Sequence, residues 1–549
     1  MVDLDPLGLF DEAGKLLSRF GDEAYFAALC LRSGMVGIEL PHRTAASLLA
    51  FERFGMLGGA ISIAATKHGD RTGLIDERGS LSFAELDRRS NALANAWRER
   101  GLKPGQGVAI LARNHRGFVD AVFAAAKSGA RIVLLNTDFA GPQIREVAGR
   151  EGTDMLVYDD EYAPMLEGLE PPLGSWRAWT DEPGPDTLET LIASGDKGTP
   201  RRPGKAAKIV ILTSGTTGTP KGAPRQDPRS LGMIGGLLDK VPFKAREVTE
   251  CCAPMFHALG FAHSMMAVAM GSTLVLRRKF DPVATLSSLE RNRSTAMIVV
   301  PVMLQRMLDV GENGPAERDL SALRIIFVSG AQLGVALGNR AAQDFGPVVY
   351  NLYGSTEVAY ATIATPEDLA AAPGCVGKVV RGAVVRVFDE KGAQVPAGTT
   401  GRIFVGNSGQ FEGYTGGGDK DRIDGLMSSG DVGHFDEAGR LFIDGRDDEM
   451  IVSGGENVFP REIEELLARH EAIEEASAIG VPDEKFGQRL RAFVVLREGA
   501  TLSSDDVRNY VAENLARFKS PREVVFLDAL PRNPTGKVLK RELAELPVD

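Results

Sequence analysis

Apolar and polar positions follow two rhythms along the chain. From about Gly73, short apolar runs alternate with stretches of helical spacing: Val108–Leu111, then Phe118–Lys127, then Arg131–Leu135, with Gly or polar residues at the turns. Runs this short, bounded by turn residues and separated by amphipathic helices, predict βα units around a parallel sheet. After a Pro/Gly-rich polar stretch (Pro171–Gly204) the rhythm resumes with Lys208–Leu212, Met297–Val300, Ile325–Val328 and Val348–Leu352. Ligands of open α/β sheets gather beyond the carboxyl ends of strands, so the loops after Leu212, Val328 and Leu352 are expected to share one crevice. From Val384 to Ile443 the pattern turns to short strands between Gly-rich turns (Val384–Phe388, Gly401–Val405, Arg440–Ile443), which predicts an antiparallel, barrel-like unit. A charged run, Arg446-Asp447-Asp448-Glu449, then precedes a fresh α+β pattern: helix Pro460–His470, strands Ala476–Val481 and Ala492–Leu496, helix Ser504–Leu515 and strand Glu523–Leu527.

The expected architecture is α/β: a large N-terminal domain of parallel α/β subdomains with a small β-barrel-like subdomain, then a small mobile α+β C-terminal domain. Boundaries are placed at 1–64 for a mainly helical extension, 65–447 for the large domain and 448–549 for the small one. A chain of 549 residues exceeds what one compact core usually organises. With 43% hydrophobic and 25% charged residues it has an ordinary enzyme's composition. The net charge of −11 argues against a nucleic-acid partner, which would require a clustered basic surface. Cys30, Cys251, Cys252 and Cys375 have no metal-ligand spacing, and the adjacent pair is a poor start for a disulfide framework, so a cytoplasmic location is expected. Neither a signal peptide nor a run of about 18 apolar residues is evident, so no membrane span is expected.

The strongest chemical signal is Thr213-Ser214-Gly215-Thr216-Thr217-Gly218-Thr219-Pro220-Lys221-Gly222, directly after a predicted strand. Gly215 and Gly218 permit a tight turn, the hydroxyls can donate to phosphate oxygens, and Lys221 adds positive charge. Pro220 and Gly222 stand where a Walker A loop needs glycine and a hydroxyl residue, so this is a different phosphate cradle. Further along come Ser329-Gly330-Ala331-Gln332-Leu333, Tyr353-Gly354-Ser355-Thr356-Glu357, Asp424 to Asp431, Arg446, and Pro531 to Lys537. Present together and in this order, from Thr213 to Lys537, these segments resemble the adenylate-forming superfamily of acyl-CoA ligases, peptide-synthetase adenylation domains and luciferases, over about Gly73 to Glu545.

The resemblance implies that a carboxylic acid attacks the α-phosphate of ATP, pyrophosphate leaves, and the acyl group passes from AMP to a thiol. It places nucleotide contacts at Thr213, Ser214, Gly215, Thr216, Thr217, Gly218 and Lys221, at Gly330, Ala331 and Gln332, and at Tyr353, Gly354, Ser355 and Thr356. Asp431 would hold the ribose, Arg446 ribose and phosphate, and Glu357 a Mg²⁺ ion. Lys537 would be the adenylation lysine, Asp448 the hinge about which the C-terminal domain swings, and CoA, as co-substrate, would meet Gly454, Gly455, Glu456, Phe518, Lys519 and Arg522. His257, Phe261, Gly330 and Val358 would line the acyl pocket. Met255–Phe261 contains no aspartate to pair with an α-ammonium group, which disfavours an amino acid substrate, since that cation would be buried unpaired. The small, apolar candidates around it favour a medium- or long-chain fatty acid, with an aryl acid as the alternative. The other alternative is an acyl-AMP ligase loading a carrier protein; such relatives carry an insertion between the adenine and ribose motifs, and none is evident here. A homodimer and a peripheral contact with a membrane surface are both compatible with the sequence.

Overall fold

The structure is a computed structural model that describes residues 21–37, 39–213, 221–225, 231–415, 419–447, 451–453, 456–458, 460–483, 487–515, 519–533 and 536–546. Among the described residues the strands form four sheets. A nine-stranded sheet runs from edge to edge as Lys378–Val379, Ala359–Ala364, Val349–Ser355, Ile325–Val328, Ala296–Val299, Val248–Cys251, Thr273–Leu276, Thr72–Asp76 and Gly79–Ser82. Its interior pairs are parallel, and the antiparallel pairs lie toward its two edges. The inner strands Thr273–Leu276, Ala296–Val299 and Ile325–Val328 are buried along their whole length, as expected of apolar runs covered by helices on both faces.

The six-stranded second sheet has the order Ser175–Trp179, Thr153–Asp159, Gly107–Leu111, Arg131–Leu134, Lys208–Thr213 and Lys221–Arg225. Thus Lys208–Thr213 does not share a sheet with Ile325–Val328 and Val349–Ser355, and the loop that follows it lies outside the described residues. Pro224 sits in the last strand, which folds back antiparallel on Lys208–Thr213 and brings Lys221 opposite Thr213. Val384–Phe388, Gly401–Gly406, Arg422–Ile423, Leu426–Phe435 and Leu441–Arg446 make the five-stranded antiparallel unit. The C-terminal sheet joins Glu456–Val458, Ile451–Ser453, Gly487–Leu496 and Ile473–Asp483, with Glu523–Phe526 parallel to Gly487–Leu496. The helix Pro460–Leu467 turns Ile463, Leu466 and Leu467 into a core with Ala478, Leu490 and Val494.

Two differences from the sequence reading have physical causes. The strand read as ending at Leu352 continues to Ser355, because Gly354 lets the chain close onto Ala359: a Cβ there would lie 1.9 Å from the Ala359 carbonyl oxygen. Also, one helix among the described residues, Pro41–His68, is long and apolar enough to cross a membrane, contrary to the sequence expectation. Its apolar run, Phe54 to Ala65, includes Ser62 and is shorter than about 18 residues, so it falls below the length that reads as a span in sequence. Gly55 (φ 71°, ψ −170°) breaks this helix, and most of its buried positions, Gly58, Gly59, Ile61 and Ala64, lie after the break. The helix packs on Phe83–Glu99, Arg116–Lys127 and Ala258–Ala269.

Candidate active site

Among the described residues, Tyr353, Asp431 and Arg446 meet where the nine-stranded sheet and the antiparallel unit approach each other. Asp431 lies on Leu426–Phe435, in register with Arg446 on the neighbouring strand Leu441–Arg446. Its carboxylate accepts from the Tyr353 hydroxyl at 2.6 Å and from the Arg446 guanidinium at 3.2 Å, and its backbone N–H donates to Ser429 Oγ at 3.1 Å. Burial pushes the Asp431 carboxyl up, opposed by the charges of Arg446 and Lys537 and by the Tyr353 hydrogen bond. The Tyr353 phenol is driven well above its ordinary range, first by burial and then by the Asp431 charge. Tyr353 therefore remains a donor and holds the acidic oxygens in place, a role its sequence motif did not indicate.

Glu357 lies in part-buried surroundings just after the strand end. Ser355 Oγ donates to its Oε2 at 2.9 Å, and the Tyr414 hydroxyl donates to its Oε1 at 2.8 Å. Thr356 occupies the turn between Val349–Ser355 and Ala359–Ala364. Each Glu357 oxygen retains lone pairs beyond its neutral donor, which suits a hard cation completed by substrate oxygens. Among the described residues no group of three or more His, Cys, Asp or Glu side chains could hold a metal, so any such ion would rely on phosphate and water. Lys221 places its ammonium 5.2 Å from the centre of the Tyr414 ring, close enough for a cation–π contact. Tyr414 thus connects Lys221 to the Glu357 carboxylate. It was missed in the sequence because Phe411–Tyr414 forms no recognisable phosphate or metal pattern.

Lys537 ends a tight loop of the C-terminal unit. Its N–H donates to Asn533 Oδ1 at 2.8 Å, and its carbonyl accepts from the Asn533 N–H at 2.9 Å. Gly536, at φ +78°, is the pivot of this loop and abuts Val302 of the large domain, which a Cβ at that position would meet at 2.3 Å. The loop therefore docks against the large domain, with the Lys537 charge felt at Asp431. A second contact across the same seam is Gln332 Nε2 donating to Glu465 Oε1 at 2.5 Å. These contacts bring the Lys537 loop to the Asp431 side of the large domain.

Other predicted residues fall elsewhere. Gly330 (φ +93°) turns the chain beside Val300, and Ala331 follows it toward Gln332. Val358 is fully buried with Ala223, Ala361 and Val385, in a different cluster from Phe261, because the tight turn directs it onto the antiparallel unit. Lys519 donates to Glu462 at 2.6 Å, and the Arg522 backbone joins Leu490, so neither is brought to Glu357 or Asp431 by these contacts. Glu456 begins a short strand paired with Ile451–Ser453. Ser214, Gly215, Thr216, Thr217, Gly218, Asp448, Gly454, Gly455 and Phe518 lie outside the described residues, as does the side chain of Thr213. His257 caps the start of Ala258–Ala269 beside Phe256, its ring centre 4.5 Å away. Burial holds its imidazole down to about 4, and its Nε2 is buried with no hydrogen-bond partner.

Residues 61–415 match the family described as AMP-binding enzyme, and residues 462–537 match the AMP-binding enzyme C-terminal domain. The chain belongs to the AMP-binding enzyme family. Its similar proteins include the fatty acid–[acyl-carrier-protein] ligase ScoC of Streptomyces coeruleorubidus, 31% identical over 85% of this chain and 92% of the relative. The indoleacetate–CoA ligase of Aromatoleum aromaticum is 32% identical over 85% of this chain and 93% of its own length. In three dimensions the chain is similar to ATP-bound MatB from Rhodopseudomonas palustris, with a TM-score of 0.79 and 28% identity over 89% of this chain and 98% of that one. As a member of this family the enzyme activates a carboxylic acid with ATP. Tyr353, Asp431 and Arg446 are joined by hydrogen bonds, and the Lys537 charge is felt at Asp431.

Proposed function

We propose that this enzyme converts an apolar carboxylic acid, of the medium- or long-chain fatty acid class, into its CoA thioester through an acyl-adenylate, with ATP and Mg²⁺. The observation that carries the choice of acid is His257. A neutral imidazole with an unpartnered, buried Nε2 beside Phe256 offers no charge to balance a second carboxylate or an ammonium group. Phe261, one helical turn on, is also buried and apolar.

In the first half-reaction Asp431 accepts from the ribose hydroxyls while Tyr353 and Arg446 fix its orientation. Glu357, held by Ser355 and Tyr414, would hold the Mg²⁺, which supplies charge neutralisation at the phosphates when bound. A carboxylate oxygen of the acid attacks the α-phosphorus, the bond to pyrophosphate breaks, and Lys537 stabilises the negative charge that develops there. In the second half-reaction the CoA thiol loses its proton, attacks the acyl carbon and releases AMP. Rotation of the C-terminal domain about Asp448 would withdraw Lys537 and admit the thiol. Arg402, at 2.8 Å from Asp447, anchors the chain on the large-domain side of that hinge.

Two of the relatives named above support a second reading each: the indoleacetate ligase an aryl acid, and the acyl-carrier-protein ligase a carrier-borne thiol. Pyrophosphate release measured across straight-chain acids from acetate to stearate and a panel of aryl acids, with and without CoA, tests all three. The proposal expects rates to rise with chain length and acyl-CoA to accumulate. Aryl acids outrunning every fatty acid, or adenylate that CoA does not discharge, would overturn it in favour of the respective alternative.

A further inference from the structure

The segment ahead of the family match carries an unusual surface. Seven of the twelve exposed large hydrophobic side chains among the described residues lie between Tyr25 and Phe51, and the two most exposed are Leu48 (65%) and Leu49 (64%). Leu31, Val36, Leu40 and Phe51 in the same segment are about half exposed or more. Concentration of exposed apolar surface in one segment of an otherwise polar exterior marks an interaction site.

The charges here are arranged unequally. Arg32, Arg43 and Arg53 are exposed and form no ion pair among the described residues. The carboxylates of the segment are engaged: Asp22 with Arg381 at 2.8 Å, Glu39 with Lys67 at 2.8 Å, Glu52 with Arg202 at 2.6 Å, and Glu23 accepting from the Leu231 N–H at 3.2 Å. On a chain of net charge −11, the apolar patch thus carries locally uncompensated positive charge.

Length decides between crossing a membrane and lying on it. The half of Pro41–His68 after Gly55 is committed to the protein core, so only the half before it is free. At about 1.5 Å per residue that half spans roughly 21 Å, short of the hydrocarbon core of about 30 Å but suited to the plane of the interface. From these observations we propose that residues 31–37 and 39–53 dock the enzyme on an anionic lipid surface, with Leu48, Leu49 and Phe51 in the acyl boundary and Arg32, Arg43 and Arg53 at the headgroups. The helix Pro41–His68 packs on Ala258–Ala269, the helix that begins after His257, so a docked enzyme holds its acyl-pocket helix close to the lipid.

The test is flotation of the full-length enzyme with vesicles of phosphatidylcholine alone and of equimolar phosphatidylcholine and phosphatidylglycerol. ATP, CoA and acid are omitted, so the result does not depend on which acid the enzyme activates. Binding is expected to the anionic vesicles and to be weakened at least about tenfold by Leu48→Asp with Leu49→Asp, and separately by Arg32→Glu with Arg43→Glu. Unchanged pyrophosphate release from a short, water-soluble acid shows that both variants are folded. Absence of binding to either vesicle, or equal binding by the leucine variant, overturns the proposal. So does a concentration-dependent dimer that the leucine variant abolishes, which would make a second copy of this chain the occupant.

Discussion

Glu250 shows what one buried carboxylate does to the molecule. It sits on the central strand Val248–Cys251, accepting from Ser288 Oγ at 2.9 Å, and burial raises its carboxyl from 4.5 to about 7, against the opposing charges of Arg277 and Arg291. Between those two values the native state keeps a proton that the unfolded chain has lost. Stability therefore falls as pH rises through that window and levels off above it, a decline of about 3 kcal/mol. Glu250→Gln should remove the decline, so denaturant midpoints of the two proteins should separate on going from about pH 5 to about pH 8, the variant becoming the more stable. A wild-type decline that persists unchanged in the variant would place its origin elsewhere. At the same scale, Tyr353→Phe deletes a hydroxyl donor to Asp431, the ribose ligand of the proposed mechanism, a hydrogen bond to a charged group worth about 1.5–3 kcal/mol. The KM for ATP should rise by about tenfold or more while kcat with saturating ATP changes little. A fall in kcat at unchanged KM would instead give Tyr353 a role in the chemical step.

At the scale of elements, local signals were legible and partnerships were not. The apolar runs Ile325–Val328 and Val108–Leu111 are strands because nothing but a buried strand suits so short and uniform a run, and the glycine-punctuated motifs marked the loops that follow such strands. By contrast, Tyr353 and Asp431 are 78 positions apart, and Tyr414 lies 57 beyond Glu357; only the docking of the antiparallel unit on the main sheet makes them partners. The hairpin Val349–Ser355 with Ala359–Ala364 was equally hidden, since its bulge at Tyr353/Gly354 is set by backbone approach rather than by a turn sequence. That approach leaves no room for a side chain. Gly354→Ala should therefore cost about 2–4 kcal/mol in a denaturant titration, because the obstacle is the Ala359 backbone carbonyl rather than a side chain able to swing away. A loss below about 0.5 kcal/mol would show that the hairpin opens at little cost.

For the whole molecule, the decisive question is whether one lysine serves one half-reaction. In the structure the Lys537 loop is docked at Val302 and the Gln332–Glu465 contact spans the seam, the position in which the proposed mechanism uses the lysine for adenylation. Removing one preorganised charge from a transition state typically costs about 2.7–4 kcal/mol, or about 10²–10³ in rate. Lys537→Ala should accordingly suppress pyrophosphate release by that order while leaving the transfer of a supplied acyl-AMP to CoA near its wild-type rate. Glu465→Ala separates the geometry from the charge. It leaves Lys537 in place but removes a tie of the docked state, so it should lower the adenylation rate by a smaller factor and leave thioester formation unimpaired. If both variants depress the two half-reactions equally, the C-terminal domain does not exchange between two positions, and the docked arrangement must serve both steps.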